Sequence, residues 1–177
     1  DQGLDLRQIS VNLSPSQFRR DRLVETVQNA LDEVGLEPQR LTLEITESII
    51  MQNPDEARDI LSELREMGVR VAIDDFGSGY SSLAYLRKHP IDQLKIDRSF
   101  VTDLPHNPDA AAIVNAIVQM GNSLHLDILA EGVENIEQME MLKSMGCAMM
   151  QGYLVSAPLA ADQAELWLSQ HCQMLQR

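Results

Sequence analysis

At 177 residues the chain is long enough for one domain with a core of its own, and 44% hydrophobic against 23% charged residues is a globular composition. A formal net charge of −13, from 27 acidic and 14 basic residues, excludes a plain electrostatic grip on DNA, because no basic patch is present to release counterions. The longest uncharged run, Ala110 to Leu126, is shorter than a bilayer span and is interrupted by Asn115, Gln119, Asn122, Ser123 and His125, so it reads as a buried helix with no direct membrane insertion.

In chain order, short β-branched runs alternate with amphipathic helical patterns. Ile9–Leu13 reads as the first strand, and Ser14-Pro15-Ser16-Gln17 follows as N-cap, N1 proline and capping-box partner of a helix. Leu41–Thr46 is the second strand. Asn53-Pro54-Asp55-Glu56 repeats the helix-start signal, and the helix it opens sets Ile60, Leu61, Leu64 and Met67 on one face before Gly68 stops it. Arg70–Asp74 and Gln93–Ile96 are the third and fourth strands. A helix from about Pro108 carries Ala110, Ile113, Val114, Ile117, Val118, Gly121 and Leu124 as its apolar stripe. Asp127–Ala130 is the fifth strand, Asn135 caps a helix ending at Gly146, Cys147–Gln151 is the sixth strand, and a last helix around Gln163–Gln170 carries Leu166, Trp167 and Leu168. No Gly/Ser-rich linker divides the pattern, so residues 1–177 are read as one domain. Alternating strands and helices predict an α/β fold with a mostly parallel sheet, either doubly wound or a barrel.

The side chains at the strand ends favour the barrel. Each strand alternates an apolar set, such as Leu41, Leu43 and Ile45, with a set that ends in a polar residue. Those ends are Asn12, Glu44, Asp74 (followed by Asp75), Lys95, Glu131 and Gln151. Six polar ends in succession do not fit a dry sheet, but a (β/α) barrel builds its active site at this rim. Hard oxygen donors around one amine suit Mg²⁺ or Mn²⁺ rather than zinc or copper. The adjacent Asp74 and Asp75 repel unless a cation lies between them. With Glu44 and Glu131 they offer a site for two ions, the arrangement used for in-line phosphoryl displacement. Lys95 is then placed to orient or deprotonate an attacking water. Cys147 and Cys172 lie outside any C-x-x-C pair or histidine cluster, which argues against zinc and fits a reducing, cytoplasmic setting.

Six blocks of the sequence resemble one known family, in its order and at its spacing. They are VNLSPSQF (Val11–Phe18), LEITES (Leu43–Ser48), IDDFGSGYSSLAYL (Ile73–Leu86), LKIDRSFV (Leu94–Val101), AEGVEN (Ala130–Asn135) and QGYLVSAPL (Gln151–Leu159). The family is the EAL-type cyclic di-GMP phosphodiesterase domain of bacterial second-messenger signalling, which governs biofilm formation and motility. The resemblance implies a TIM-like (β/α)8 barrel and hydrolysis of cyclic di-GMP to linear pGpG. It implies metal contacts from Asn12, Glu44, Asp74, Asp75 and Glu131, and a water-activating role for Lys95. Glu134 and Gln151 match supporting positions, and Glu47 matches the carboxylate that anchors the loop Phe76–Ser82. Asp97 is a further candidate near substrate, with helix capping as its plainer role. Gly77 and Ser78 are candidates of the same kind, though two glycines in such a loop usually just make a turn. The implied partners are a second copy of the domain and an upstream sensory or GGDEF-type domain.

The Glu-Ala-Leu signature of the family is not in this sequence. The chain opens Asp1-Gln2-Gly3 without Met or leader and is expected to be the C-terminal part of a longer domain, with about six strand–helix units and exposed sheet edges. As a fragment it is expected to hydrolyse poorly and to self-associate. Two other functions fit the residues: a receptor that binds cyclic di-GMP without cleaving it, and a Mg²⁺-dependent enolate-forming barrel enzyme with Lys95 as base.

Overall fold

The computed structural model describes residues 8–19, 22–77 and 86–171. Six parallel strands make one sheet: β1 (Ile9–Asn12), β2 (Leu41–Thr46), β3 (Arg70–Phe76), β4 (Gln93–Ile96), β5 (Asp127–Ala130) and β6 (Met149–Met150). Their order in the sheet is their order in the chain. A doubly wound sheet reverses direction at a switch point. Sequential order with right-handed crossovers instead keeps every helix on one side and curls the sheet, so the six strands form part of a TIM-like barrel.

Eight α-helices accompany the strands among the described residues: α1 (Pro15–Phe18), α2 (Leu23–Val34), α3 (Glu47–Gln52), α4 (Pro54–Met67), α5 (Arg98–Thr102), α6 (Pro108–Ser123), α7 (Ile136–Ser144) and α8 (Ala161–His171). The start signals at Ser14 and Asn135 operate as expected, whereas Asn53 opens α4 ahead of Pro54 without a side-chain bond to the helix backbone. Ser14 and Asn135 each form a full capping box, with Gln17 and Gln138 respectively. Gly35 and Gly68 end α2 and α4 in the left-handed conformation. Helices α2 and α3 were not anticipated, whereas α5 starts where the capping reading of Asp97 puts it. Helix α3 has six residues, too few for a helical period to register.

The core lies between the helices and the apolar set of each strand. Leu43, Ile45, Val71, Ile73, Leu94, Ile96 and Ile128 are buried against Leu61 and Leu64 of α4 and Val114 and Val118 of α6. Three expectations need correction. Ile113 is 43% exposed, on the outer shoulder of the α6 stripe. Helix α8 buries no residue, so Leu166 projects outward and Trp167 stacks on His171 instead. The sixth strand is only Met149–Met150; Gln151 still bonds Ala130 of β5 through its N–H, but its carbonyl pairs with Val133 in the loop beyond.

That pairing supports the mouth of the sheet. Gln151 N–H donates to Ala130 O, Val133 N–H donates to Gln151 O, and Leu154 N–H donates to Val133 O. Gly152 sits so close that a Cβ would lie 2.2 Å from Val133 O and 2.3 Å from Val133 N. Backbone, not a flexible tip, would have to move. Gly152→Ala should therefore destabilise the protein by about 1–3 kcal/mol. A thermal melt checks this, and an unchanged Tm would mean the loop yields freely.

Candidate active site at the carboxyl ends of the strands

Period-two alternation turns Glu44 of β2 and Lys95 of β4 away from the helices, and Glu131 follows the last residue of β5. Here they meet. Lys95 Nζ lies 2.5 Å from Glu44 Oε2, 2.9 Å from Asp74 Oδ1 and 2.8 Å from Glu131 Oε1. The Lys95 side chain is 4% exposed, so its ammonium donates to three carboxylates at the centre of a nearly dry cluster. Asn12 stands beside this group, opposite Glu44 in the β1–β2 register.

Asp75 reaches the same mouth by a different route. Strict alternation would turn it to the face opposite Asp74. The β3–β4 register shifts between Ile73 and Phe76, and Asp75 takes a left-handed φ of 54°. Such a bulge re-aims a side chain, and Asp is one of the few residues that tolerates this φ. One carboxylate oxygen each from Asp74, Asp75 and Glu131 then lies within 4.8 Å of the others, close enough to share a cation. Histidine and cysteine are absent from this group, which fits a hard divalent ion.

The electrostatics agree with an acidic pocket short of positive charge. Burial, then the charge of Asp74, then a hydrogen bond with Asp97 push the Asp75 carboxyl above its ordinary range. Burial likewise raises Glu131, and outweighs the stabilising bond from Lys95. Asp97 goes the other way: burial would raise it, but the Oγ–H and N–H of Ser99 hold it below the usual range. Burial would lower Lys95, yet its bonds to Glu131, Glu44 and Asp74 carry it well above its ordinary value. In this arrangement Lys95 is a fixed cation. Ringed by these three carboxylates, the ammonium is placed to orient a water or phosphate oxygen at the mouth.

The raised Glu131 carries a pH signature. A group that binds its proton more tightly when folded adds stability that is present at acid pH and lost as pH rises from its ordinary value of 4.5 through the raised one. Glu131→Gln mimics the protonated form at every pH. Its stability relative to the parent should therefore improve steadily across that window, and a divalent cation should stabilise the parent more than the variant. Urea titrations at several pH values read this out, and a pH-independent difference would contradict it.

The remaining candidates sit around the cluster. Asp97 caps α5 through Ser99 N–H at 2.9 Å and bonds Asp75. Glu47 is buried in the first turn of α3, directly after β2. Gly77 has φ 95°, and a Cβ there would lie 3.0 Å from the Phe100 ring. Glu134 and Gln151 are exposed beside the mouth. Ser78 lies outside the described residues. Ser99 and Gln138 escaped the sequence reading because each acts on a neighbour's position rather than through a reactive group of its own.

Comparison with known proteins places these features in context. The family model described as the EAL domain matches residues 1–158. The bifunctional diguanylate cyclase/cyclic di-GMP phosphodiesterase MucR of Pseudomonas aeruginosa is 51% identical over 155 residues, which is 88% of this chain and 23% of that protein. The solved structure of the MucR phosphodiesterase in complex with c-di-GMP superposes with a TM-score of 0.85 at 50% identity, covering 89% of this chain and 64% of that one. A manganese/c-di-GMP complex of Klebsiella pneumoniae BlrP1 gives a TM-score of 0.81 at 35% identity, covering 88% and 40%. The chain thus spans less than a quarter of the length of the curated relative.

Proposed function

Because this chain belongs to the EAL domain family, we propose that the protein carrying it hydrolyses one phosphodiester bond of cyclic di-GMP, giving linear pGpG. The observation that carries the reading is the meeting of Glu44, Asp74 and Glu131 on the Lys95 ammonium, with Asp75 turned into the same mouth. The complexes of MucR and BlrP1 with the dinucleotide support the ligand.

Asn12, Glu44, Asp74, Asp75 and Glu131 are the residues that would hold Mg²⁺ or Mn²⁺, two ions in all. A bound divalent ion supplies Lewis acidity at the phosphorus-bound oxygens and makes a bound water acidic enough to attack near neutral pH. The chain's own groups do the rest. The pocket is strongly anionic, so it admits a dianionic ligand only with cations present. Lys95 holds three carboxylates at fixed separation and directs its charge to the mouth, where a water or phosphate oxygen can be aligned. Asp97 steadies Asp75 through their shared hydrogen bond. Glu47, Glu134, Gln151, Gly77 and Ser78 are assigned to loop anchoring and ligand contact at the rim. A second copy of the domain and an upstream sensory or GGDEF-type domain are the proposed partners, in the cytoplasm. No helix among the described residues is long and apolar enough to cross a membrane.

The test is incubation of the full-length protein with cyclic di-GMP and Mn²⁺ or Mg²⁺, with chromatography of the products. Formation of pGpG that stops on chelation supports the proposal. Tight binding without turnover would replace it with a receptor role.

A further inference from the structure

Gln138 is a polar side chain in a dry place, 3% exposed, at the start of α7. All of its amide is used. Its Oε1 accepts from Glu134 N–H at 2.8 Å and Asn135 N–H at 3.2 Å. Its Nε2 donates to Val101 O at 3.1 Å and reaches Thr102 O at 3.5 Å. The acceptor end is explained locally, because it completes the capping box of α7. The donor end has no local use. It crosses 37 residues of sequence to Val101 O and Thr102 O in the last turn of α5, the first of which also accepts from Leu104 N–H.

Those two ends join the two loops that matter. One runs from Glu131 to Asn135 after β5. The other follows β4, the strand that holds Lys95, and carries Asp97 and then α5. The loops also touch at Gly132, where a Cβ would lie 2.7 Å from Arg98 Cβ, so little slack exists between them. We propose that Gln138 is a positioning residue, whose amide sets the separation of Glu131 from Lys95 by tying these loops together. Its effect on turnover rests on the hydrolase reading above, whereas its effect on geometry does not. A buried amide that bonds at both ends costs stability when either bond is lost, and a misplacement of about 1 Å at a reacting centre can cost up to about a hundredfold in rate.

The experiment separates a tie from a mere cap. Gln138→Glu keeps the acceptor that caps α7 and loses the donor to Val101 O, and Gln138→Met loses both at similar volume. Leu31→Ala, which removes a buried side chain from α2 on the β1 side of the sheet, serves as a variant with a lowered Tm and an untouched tie. In the full-length protein with saturating Mn²⁺ and assayed well below the Tm, both Gln138 variants should lower kcat for cyclic di-GMP about tenfold with KM within about threefold. Leu31→Ala should keep the parent kcat. Crystal structures of the Gln138 variants should show Glu131 Oε1 drawn away from its 2.8 Å contact with Lys95 Nζ. Parent-like kcat in Gln138→Glu, or an unmoved Glu131 in its crystal structure, would overturn the proposal. If the parent protein shows no hydrolysis, the hydrolase reading falls and the crystal structures alone decide the role of Gln138.

Discussion

Lys95→Met in the full-length protein should abolish hydrolysis of cyclic di-GMP and, without divalent cations, destabilise the fold by about 3–5 kcal/mol. The side chain that changes is 4% exposed and bonds three carboxylates within 2.9 Å. Methionine keeps the length of the stem but leaves Glu44, Asp74 and Glu131 facing one another with no compensating charge. Breaking a buried pair from one side strands the other partner, and here three are stranded. Added Mn²⁺ should recover part of the lost stability, because the same carboxylates then face a cation, but it should not recover turnover. Lys95→Arg should fail too, since a planar fork does not fit a pocket closed around one ammonium. Urea unfolding with chelator and with Mn²⁺, beside an activity assay, gives both readings. A variant as stable as the parent in chelator would show that Lys95 is not the hub of the cluster.

Asp74→Asn is the complementary case, in which the fold is spared and the chemistry is lost. Asn has the same shape, its side-chain oxygen can still accept from Lys95 Nζ, and it can still accept the Asp75 N–H bond that Asp74 Oδ1 takes at 3.1 Å. Stability should change by about 1 kcal/mol at most, the range of a mild substitution. The charge is what disappears, and Asp74 belongs to both the lysine cluster and the acidic group with Asp75 and Glu131. Turnover should fall by about 10²–10³ or more, the loss typical when one electrostatic contributor to a transition state is removed. Calorimetric titration should show weakened Mn²⁺ binding with a normal melting curve. Near-normal turnover would remove Asp74 from the assigned machinery.

Much of this site was legible before any coordinates, and the reason is geometric. Strand alternation is strict, so Glu44 and Lys95 could be assigned to one face from spacing alone. Helix starts at Ser14 and Asn135 were equally plain, because capping is a contact among residues three apart, and Pro54 marked the start of α4. Asp75 was placed correctly in the mouth, but alternation alone would have turned it out; a bulge and a left-handed φ bring it in. Lys95 was read as the one amine among the carboxylates, and the structure shows which three it bonds, Glu44, Asp74 and Glu131. The tie made by Gln138 was invisible, for its partner Val101 lies 37 residues away.

By itself the order of residues determined the strand and helix starts, the inward-facing polar set and the hard-oxygen character of its donors, all of which follow from contacts within a few residues. Only the tertiary structure decided that the sheet is sequential and curled, that Glu44 meets Lys95 across 51 residues, and that three carboxylates ring the ammonium. Those outcomes depend on distance and burial between segments far apart in the chain, and a charge interaction that scales with separation and local dielectric has no value until folding has set both.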